Sequence, residues 1–360
     1  MFLELLYPLV RYFSPLNVFK YLTFRSAYAA VTALLIAFLF GPRIIERLRT
    51  LKFGQSVRTD GPESHLAKAG TPTMGGILII LAVAASVLLW ADLKNAYVWI
   101  VLLSLAGFGL IGFVDDWLKI KYRNSKGVPA WAKFWAQVVV ASAAALVIYS
   151  LGKPETTKLY VPFFKYPILD LGVAWVPIAV IYVVYWSNAV NLADGLDGLA
   201  TGLMIIALVA FSILAYVTGR SDWSAYLSIP YVKGTGELTV FNLALIGACV
   251  GFLWFNAHPA EVFMGDVGSL ALGGSLGVLS LIVKKEVLLL VIGGVFMMEV
   301  LSDVLQVGYF KLTKGRRLFK MAPLHHHFEL QGWKETKVVV RFWILGAIFA
   351  ILALSTLKIQ

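Results

Sequence analysis

Residues 96–119 read AYVWIVLLSLAGFGLIGFVDDWLK. The stretch 96–114 carries no charge, and Asp115 and Asp116 follow it directly. A helix needs about 20 mostly apolar residues to cross a bilayer. Hydrocarbon offers the backbone no hydrogen bonds, so such a run must satisfy its own and is helical. The segment therefore predicts a membrane helix that delivers two adjacent carboxylates to the membrane boundary. Nine further apolar runs flank it, near 22–41, 74–91, 134–151, 171–190, 198–217, 238–255, 267–283, 286–305 and 338–357. The run 267–283 is the weakest, being short and rich in glycine. Pro177 interrupts 171–190, which a membrane helix tolerates.

Composition agrees. Of 360 residues, 59% are hydrophobic and 14% charged, with a mean hydropathy of +0.80. Soluble domains carry about 45–50% apolar and about 25% charged residues. The expected fold is an all-α polytopic bundle of about ten transmembrane helices forming one domain, 1–360. The first twenty residues, with Glu4, Pro8, Arg11 and Pro15, lack the apolar core of a cleavable signal peptide. The single cysteine, Cys249, lies inside an apolar run. That excludes an internal disulfide and any metal site built on several cysteines.

An even number of spans divides the loops into two sets. Loops 42–73, 115–133, 191–197, 256–266 and 306–337 hold 18 Lys and Arg residues, against 8 in 92–95, 152–170, 218–237 and 284–285. Cytoplasmic loops carry the excess of basic residues. The first set is expected in the cytoplasm and both termini outside. The net charge of +11 fits orientation and anionic head groups rather than nucleic acid, for which no recognised module is present. No Walker phosphate loop or dinucleotide fingerprint occurs either.

Every unusual polar motif falls in the first loop set. Asp115 and Asp116 repel each other and are costly to desolvate at a membrane boundary. A divalent cation offsets both effects, although a solvated acidic helix end is the simpler alternative. Asn191-Leu192-Ala193-Asp194-Gly195-Leu196-Asp197-Gly198 carries two acids three residues apart, which share a face on a helical turn. The same residue types also make ordinary turns. Asn256, His258, Phe263 and Asp266 lie together before run 267–283. Asp266 is placed either to meet a metal or to cap a helix, Asn256 to bond a ligand, and Phe263 to stack on a base or face lipid. Three consecutive histidines, His325-His326-His327, suit phosphate contact, acid–base work or metal binding. Adjacent residues point different ways, so only one or two are expected to enter a site. In the first loop, Lys68 could meet a phosphate, and Thr71 and Thr73 could donate hydrogen bonds. A loop lysine is otherwise simply solvated. Glu299 and Asp303 lie four apart within the ninth run, where acids face the bundle interior.

Taken together, Gly70-Thr71-Pro72-Thr73-Met74-Gly75-Gly76, Gly112-Phe113-Val114-Asp115-Asp116, Asn191 to Gly198, Phe263-Met264-Gly265-Asp266-Val267-Gly268-Ser269 and Pro323-Leu324-His325-His326-His327-Phe328-Glu329 closely resemble the phospho-N-acetylmuramoyl-pentapeptide transferases, the MraY type of bacterial enzyme. The resemblance runs over essentially the whole chain. Its acidic motifs are shared across polyprenyl-phosphate sugar-1-phosphate transferases, and the triple histidine favours this branch. It implies transfer of phospho-N-acetylmuramoyl-pentapeptide from UDP to undecaprenyl phosphate, giving lipid I and UMP in peptidoglycan synthesis. It also implies a bacterial inner-membrane location with periplasmic termini, Mg2+ as cofactor, membrane lipid as surroundings and a homodimer as one possible assembly. By motif, Asp115, Asp116 and Asp266 become the metal and catalytic core, with His325 assisting. Lys68, Thr73, Lys119, Asn191, Asp194, Asp197, Asn256, Phe263, His326 and His327 become substrate contacts. Two alternatives remain at this point: an N-acetylglucosamine-1-phosphate transferase using the same lipid, and an ion-coupled secondary transporter. Transporters place sites near the midplane at repeat interfaces, whereas these acids sit at loop edges and no internal repeat is evident.

Overall fold

A computed structural model describes residues 1–51, 70–122, 127–152 and 155–358. The chain folds into helices: α1 (Phe2–Leu6), α2 (Leu22–Thr50), α3 (Gly76–Trp90), α4 (Ala96–Lys121), α5 (Ala130–Leu151), α6 (Trp175–Ala193), α7 (Leu199–Thr218), α8 (Ser221–Leu227), α9 (Leu238–Asn256), α10 (Gly265–Ile282), α11 (Glu286–Ile292), α12 (Gly294–Leu312), α13 (Leu324–Glu329) and α14 (Glu335–Ser355). Among the described residues, strand structure is limited to one short antiparallel pair, β1 (Lys158–Leu159) with β2 (Leu169–Asp170).

All ten apolar runs lie on helices, but they do not make ten simple spans. Among the described residues, eight helices are long and apolar enough to cross a membrane. The run 286–305 is broken: α11 and α12 meet at an angle of 81°, with Gly293 between them. As one bent span they bring the number to nine. The run 74–91 yields only the 15 residues of α3, about 22 Å of helix at 1.5 Å per residue against a hydrocarbon core of about 30 Å. Its N-terminal shortfall has a visible cause. Residues 72–76 run beside 263–264 instead of coiling, with Phe263 N donating to Pro72 O at 2.8 Å, Gly75 N to Phe263 O at 2.9 Å and Gly76 N to Met264 O at 2.9 Å.

The glycine-rich run that reads weakest in sequence is the centre of the bundle. Helix α10 is the least hydropathic of the eight, yet 89% of it is buried, more than any other. It packs against α3, α4, α5, α6 and α7. Between membrane helices, small residues permit backbone contact and dispersion replaces the hydrophobic drive. Gly112 shows how close this contact is: a Cβ there would lie 2.1 Å from the Asp266 carbonyl oxygen. Glycine at 112 thus sets the height of the α10 N-terminus against the acidic end of α4.

The end of the bundle away from Asp266 is fastened by an ion pair between buried Arg25 and half-buried Glu237. Arg25 NH1 donates to Glu237 Oε2 at 2.7 Å and to Trp90 O at 3.2 Å, and Asp92 N donates to the same Glu237 oxygen at 3.0 Å. This ties α2, the end of α3 and the start of α9 together.

The contact at Gly112 gives a direct test. Gly112→Ala should destabilise the protein by about 1–3 kcal/mol through overpacking against backbone that cannot rotate away. The measurement is the thermal midpoint of the purified protein in detergent, and an unchanged midpoint would contradict so close an approach of α4 and α10.

Candidate active site

Helix α4 continues past its apolar stretch for two more turns, and its last buried residues are Asp115 and Asp116. They meet Asp266, which lies in the first turn of α10. One carboxylate oxygen from each of the three lies within 4.8 Å of the others. Two unit charges that far apart repel by roughly 3 kcal/mol at an effective dielectric of about 20. The cluster therefore requires positive charge, and two lysines supply it. Lys119 Nζ lies 2.5 Å from Asp115 Oδ2, 3.0 Å from Asp266 Oδ2 and 3.5 Å from Asp116 Oδ1. Lys133 Nζ, from the start of α5, lies 2.6 Å from Asp266 Oδ2 and 3.7 Å from Asp115 Oδ2. Two ammonium groups against three carboxylates leave one negative charge over.

Neutral donors fix the carboxylates as well. Val128 N donates to Asp115 Oδ1 at 2.9 Å, and Val267 N donates to Asp116 Oδ2 at 3.2 Å. Asn191, in the last turn of α6, donates to Asp266 Oδ1 and to Ser269 Oγ, both at 2.8 Å. Thr73 is buried beside them: a Cβ at Gly265 would meet both its Oγ1 and Asp116 Oδ2. Oriented oxygen donors on a rigid frame suit a hard divalent cation, which prefers carboxylates together with phosphate oxygens and water.

Asp194 follows α6 directly, beside this cluster. Burial pushes its carboxyl well above the usual range, and the charges of Asp266, Asp116 and Asp197 push the same way.

The other expected contacts divide into two kinds. Asp197 is buried and turned toward the scaffold: its Oδ2 lies 3.0 Å from His258 Nδ1 and accepts Ala260 N at 3.1 Å. Glu335, at the start of α14, accepts Asp197 N at 2.9 Å and lies 3.5 Å from His258 Nδ1. Asp197, His258 and Glu335 form a second group that could hold a metal ion. Asn256 is also a strut. Its oxygen accepts Gly198 N at 3.2 Å and Thr201 Oγ1 at 3.1 Å, while its nitrogen donates to Val262 O at 2.9 Å. Phe263 is half-buried, its backbone bonded to the 72–75 segment.

Of the three histidines, only His325 is buried. Its Nδ1 lies 3.1 Å from Glu299 Oε2 of α12, and its Nε2 edge abuts Gly195. His326 Nδ1 lies 2.9 Å from Glu329 Oε2 within the same short helix. His327 Nδ1 accepts Lys320 N at 3.1 Å, and its Nε2 lies 2.8 Å from Gln331. Of the three, it is His325 that is turned into the bundle. Lys68 lies outside the described residues. Lys133 was counted in sequence only as one of the basic loop residues. Its position just before the apolar run 134–151 was the available signal, but nothing local tied it to Asp266.

Comparison with known proteins agrees with this geometry. The glycosyl transferase family 4 profile matches residues 98–284, and the first phospho-N-acetylmuramoyl-pentapeptide-transferase signature matches residues 68–80. The phospho-N-acetylmuramoyl-pentapeptide-transferases of Thermodesulfovibrio yellowstonii and Desulfosudis oleivorans are each 54% identical to the chain over 361 residues. That of Nitratidesulfovibrio vulgaris is 56% identical over 360 residues. In all three alignments 100% of both chains is covered. The aspartate–lysine cluster, the histidine on α13 and this end-to-end identity agree: the chain belongs to the phospho-N-acetylmuramoyl-pentapeptide transferase family.

Proposed function

We propose that the chain transfers phospho-N-acetylmuramoyl-pentapeptide from its UDP-linked form to undecaprenyl phosphate, releasing UMP and forming lipid I. The observation that carries this reading is the convergence of Asp115, Asp116 and Asp266 with Lys119 and Lys133 at one end of a membrane bundle. A soluble nucleotide and a lipid phosphate can meet only at such a boundary, and both are anionic. Phosphoryl transfer is chiefly positioning and charge stabilisation. A lipid phosphate oxygen attacks the sugar-linked phosphorus. The new P–O bond forms as the bond to the UMP oxygen breaks, and UMP leaves as the phosphate.

Mg2+ held by the three aspartates would supply charge neutralisation to the diphosphate. Lys119 and Lys133 then draw the incoming phosphates and balance the carboxylates before and after turnover. Asp115 orients the lipid phosphate and takes any proton it still carries. A phosphate monoester has its second pKa near 6, so most acceptor molecules need no base at neutral pH. Asn191 holds Asp266 in place. Lys68, Asp194 and Phe263 meet the nucleotide sugar with His325, and Asp197 and Asn256 hold the loops that present them. The basic bias of the loops around this end supports a reading in which it faces the cytoplasm of a bacterial inner membrane and the termini are periplasmic. Trapping a phosphorylated enzyme from the nucleotide sugar alone would instead favour a covalent aspartyl-phosphate route.

Three outcomes test this assignment. UMP release from UDP-N-acetylmuramoyl-pentapeptide should depend on the polyprenyl phosphate, and UDP-N-acetylglucosamine should not substitute; the reverse preference would assign the chain to the other sugar. Chelation of divalent metal should abolish turnover and added Mg2+ should restore it, whereas full activity in chelator would remove the metal from the scheme. Asp266→Asn and Lys133→Met should each lower kcat by about 10²–10³, the scale for removing one preorganised charge contact. A folded variant of either kind with full activity would take that residue out of the core.

A further inference from the structure

His325 and Glu299 lie on different elements, α13 and α12, and are among the most buried polar residues of the chain, 1% and 0% exposed. Glu299 Oε2 lies 3.1 Å from His325 Nδ1. The remaining polar atoms of the pair, Glu299 Oε1 and His325 Nε2, are buried without a hydrogen-bond partner among the described residues. A buried polar atom left without a partner loses about 1–3 kcal/mol. His325 Nε2 is not aimed at random. A Cβ added to Gly195 would lie 2.2 Å from it, so this nitrogen edge faces the turn that carries Asp194.

We propose that Glu299 is a positioning residue for His325. It accepts the hydrogen bond from Nδ1–H and so presents Nε2 as an acceptor to a hydroxyl or N–H group of the nucleotide sugar beside Gly195. This inference rests on the reading of His325 as a substrate contact. The argument is one of donors and acceptors. A neutral imidazole carries one N–H and one lone pair. With the proton on Nδ1, the ring donates to Glu299 and Nε2 is left bare. With the proton on Nε2, two acceptors would face each other at 3.1 Å. In the imidazolium both nitrogens donate, and the Nδ1 side still belongs to Glu299. Either way the carboxylate fixes the ring's rotation and decides which nitrogen is offered. Asp303, one turn along α12, is a further charge within electrostatic reach of both residues. His326 and His327 have their Nδ1 atoms engaged elsewhere, so neither replaces His325 at Glu299. Helix α12, set at 81° to α11, carries Glu299 to this contact with α13.

The test uses the full-length purified enzyme with both substrates and four variants: Glu299→Gln, Glu299→Leu, His325→Asn and Glu299→Gln with His325→Asn. Glu299→Gln should lower kcat/KM for the nucleotide sugar about 10–100-fold, the usual loss for a residue that orients a working histidine. KM for the lipid phosphate should stay within about twofold. The double variant should lose no more than His325→Asn alone, because Glu299 acts through the ring. Losses that multiply in the double variant, or full activity in Glu299→Gln, would overturn the proposal. The chain has five histidines, so selective 15N-histidine labelling gives a second readout. The His325 signals, identified by their loss in His325→Asn, should report a protonated Nδ1 and a bare Nε2, and Glu299→Leu should abolish that preference. An unchanged tautomer in Glu299→Leu overturns the proposal even if Glu299→Gln fails to fold. Full activity in His325→Asn would instead remove the reading on which the proposal rests, and it is seen in that single variant.

Discussion

Backbone contact between α4 and α10 at Gly112 governs the rest of the structure. The Asp266 carbonyl lies where a side chain at 112 would be, and that contact sets the distance from Asp266 to Asp115 and Asp116. Three carboxylates held this close are unstable by themselves. The site works because two lysines from different stretches of chain reach the same oxygens. Removing one partner from a buried ion pair costs about 3–5 kcal/mol, so site and fold depend on each other here. The glycine and serine content that weakens the 267–283 run as a hydropathy signal is what allows α10 to occupy the centre.

The loops around this core are held by side chains that resemble ligand contacts. Asn256 bonds the loop before α7 to the loop before α10. Asp197, His258 and Glu335 join that same region to α14. All of these but the local Asn256–Val262 bond span more than fifty residues of sequence, and together they fix the turn with Asp194 and Gly195 relative to the loop before α10. Preorganisation of this kind is where a positioning catalyst gains its rate.

Much of this was legible in the sequence. The apolar runs located every long helix. The acids and histidines at their ends located the loops that meet, because one face of a membrane bundle collects alternate loops. The motif resemblance extended to the family and its substrates. The differences have physical causes. Residues 74–75 read as part of a span, but the chain there lies beside 263–264, with Gly75 N donating to Phe263 O and Gly76 N to Met264 O. The run 286–305 reads as one helix, yet it bends by 81° at a glycine. Lys133 reads as one orientation charge among 18, and its role appears only when the start of α5 is brought to Asp266.

The sequence by itself determined the helical membrane class, the acidic and histidine chemistry and the family. Those properties reside in run length, residue type and spacing along the chain. The tertiary structure alone decided which helix is central, which lysines neutralise the aspartates, that Asn256 and Asp197 brace loops, and that His325 among three histidines turns inward onto Glu299. Each of these depends on a distance of a few ångströms between residues far apart in sequence, and hydropathy and spacing carry no record of that distance.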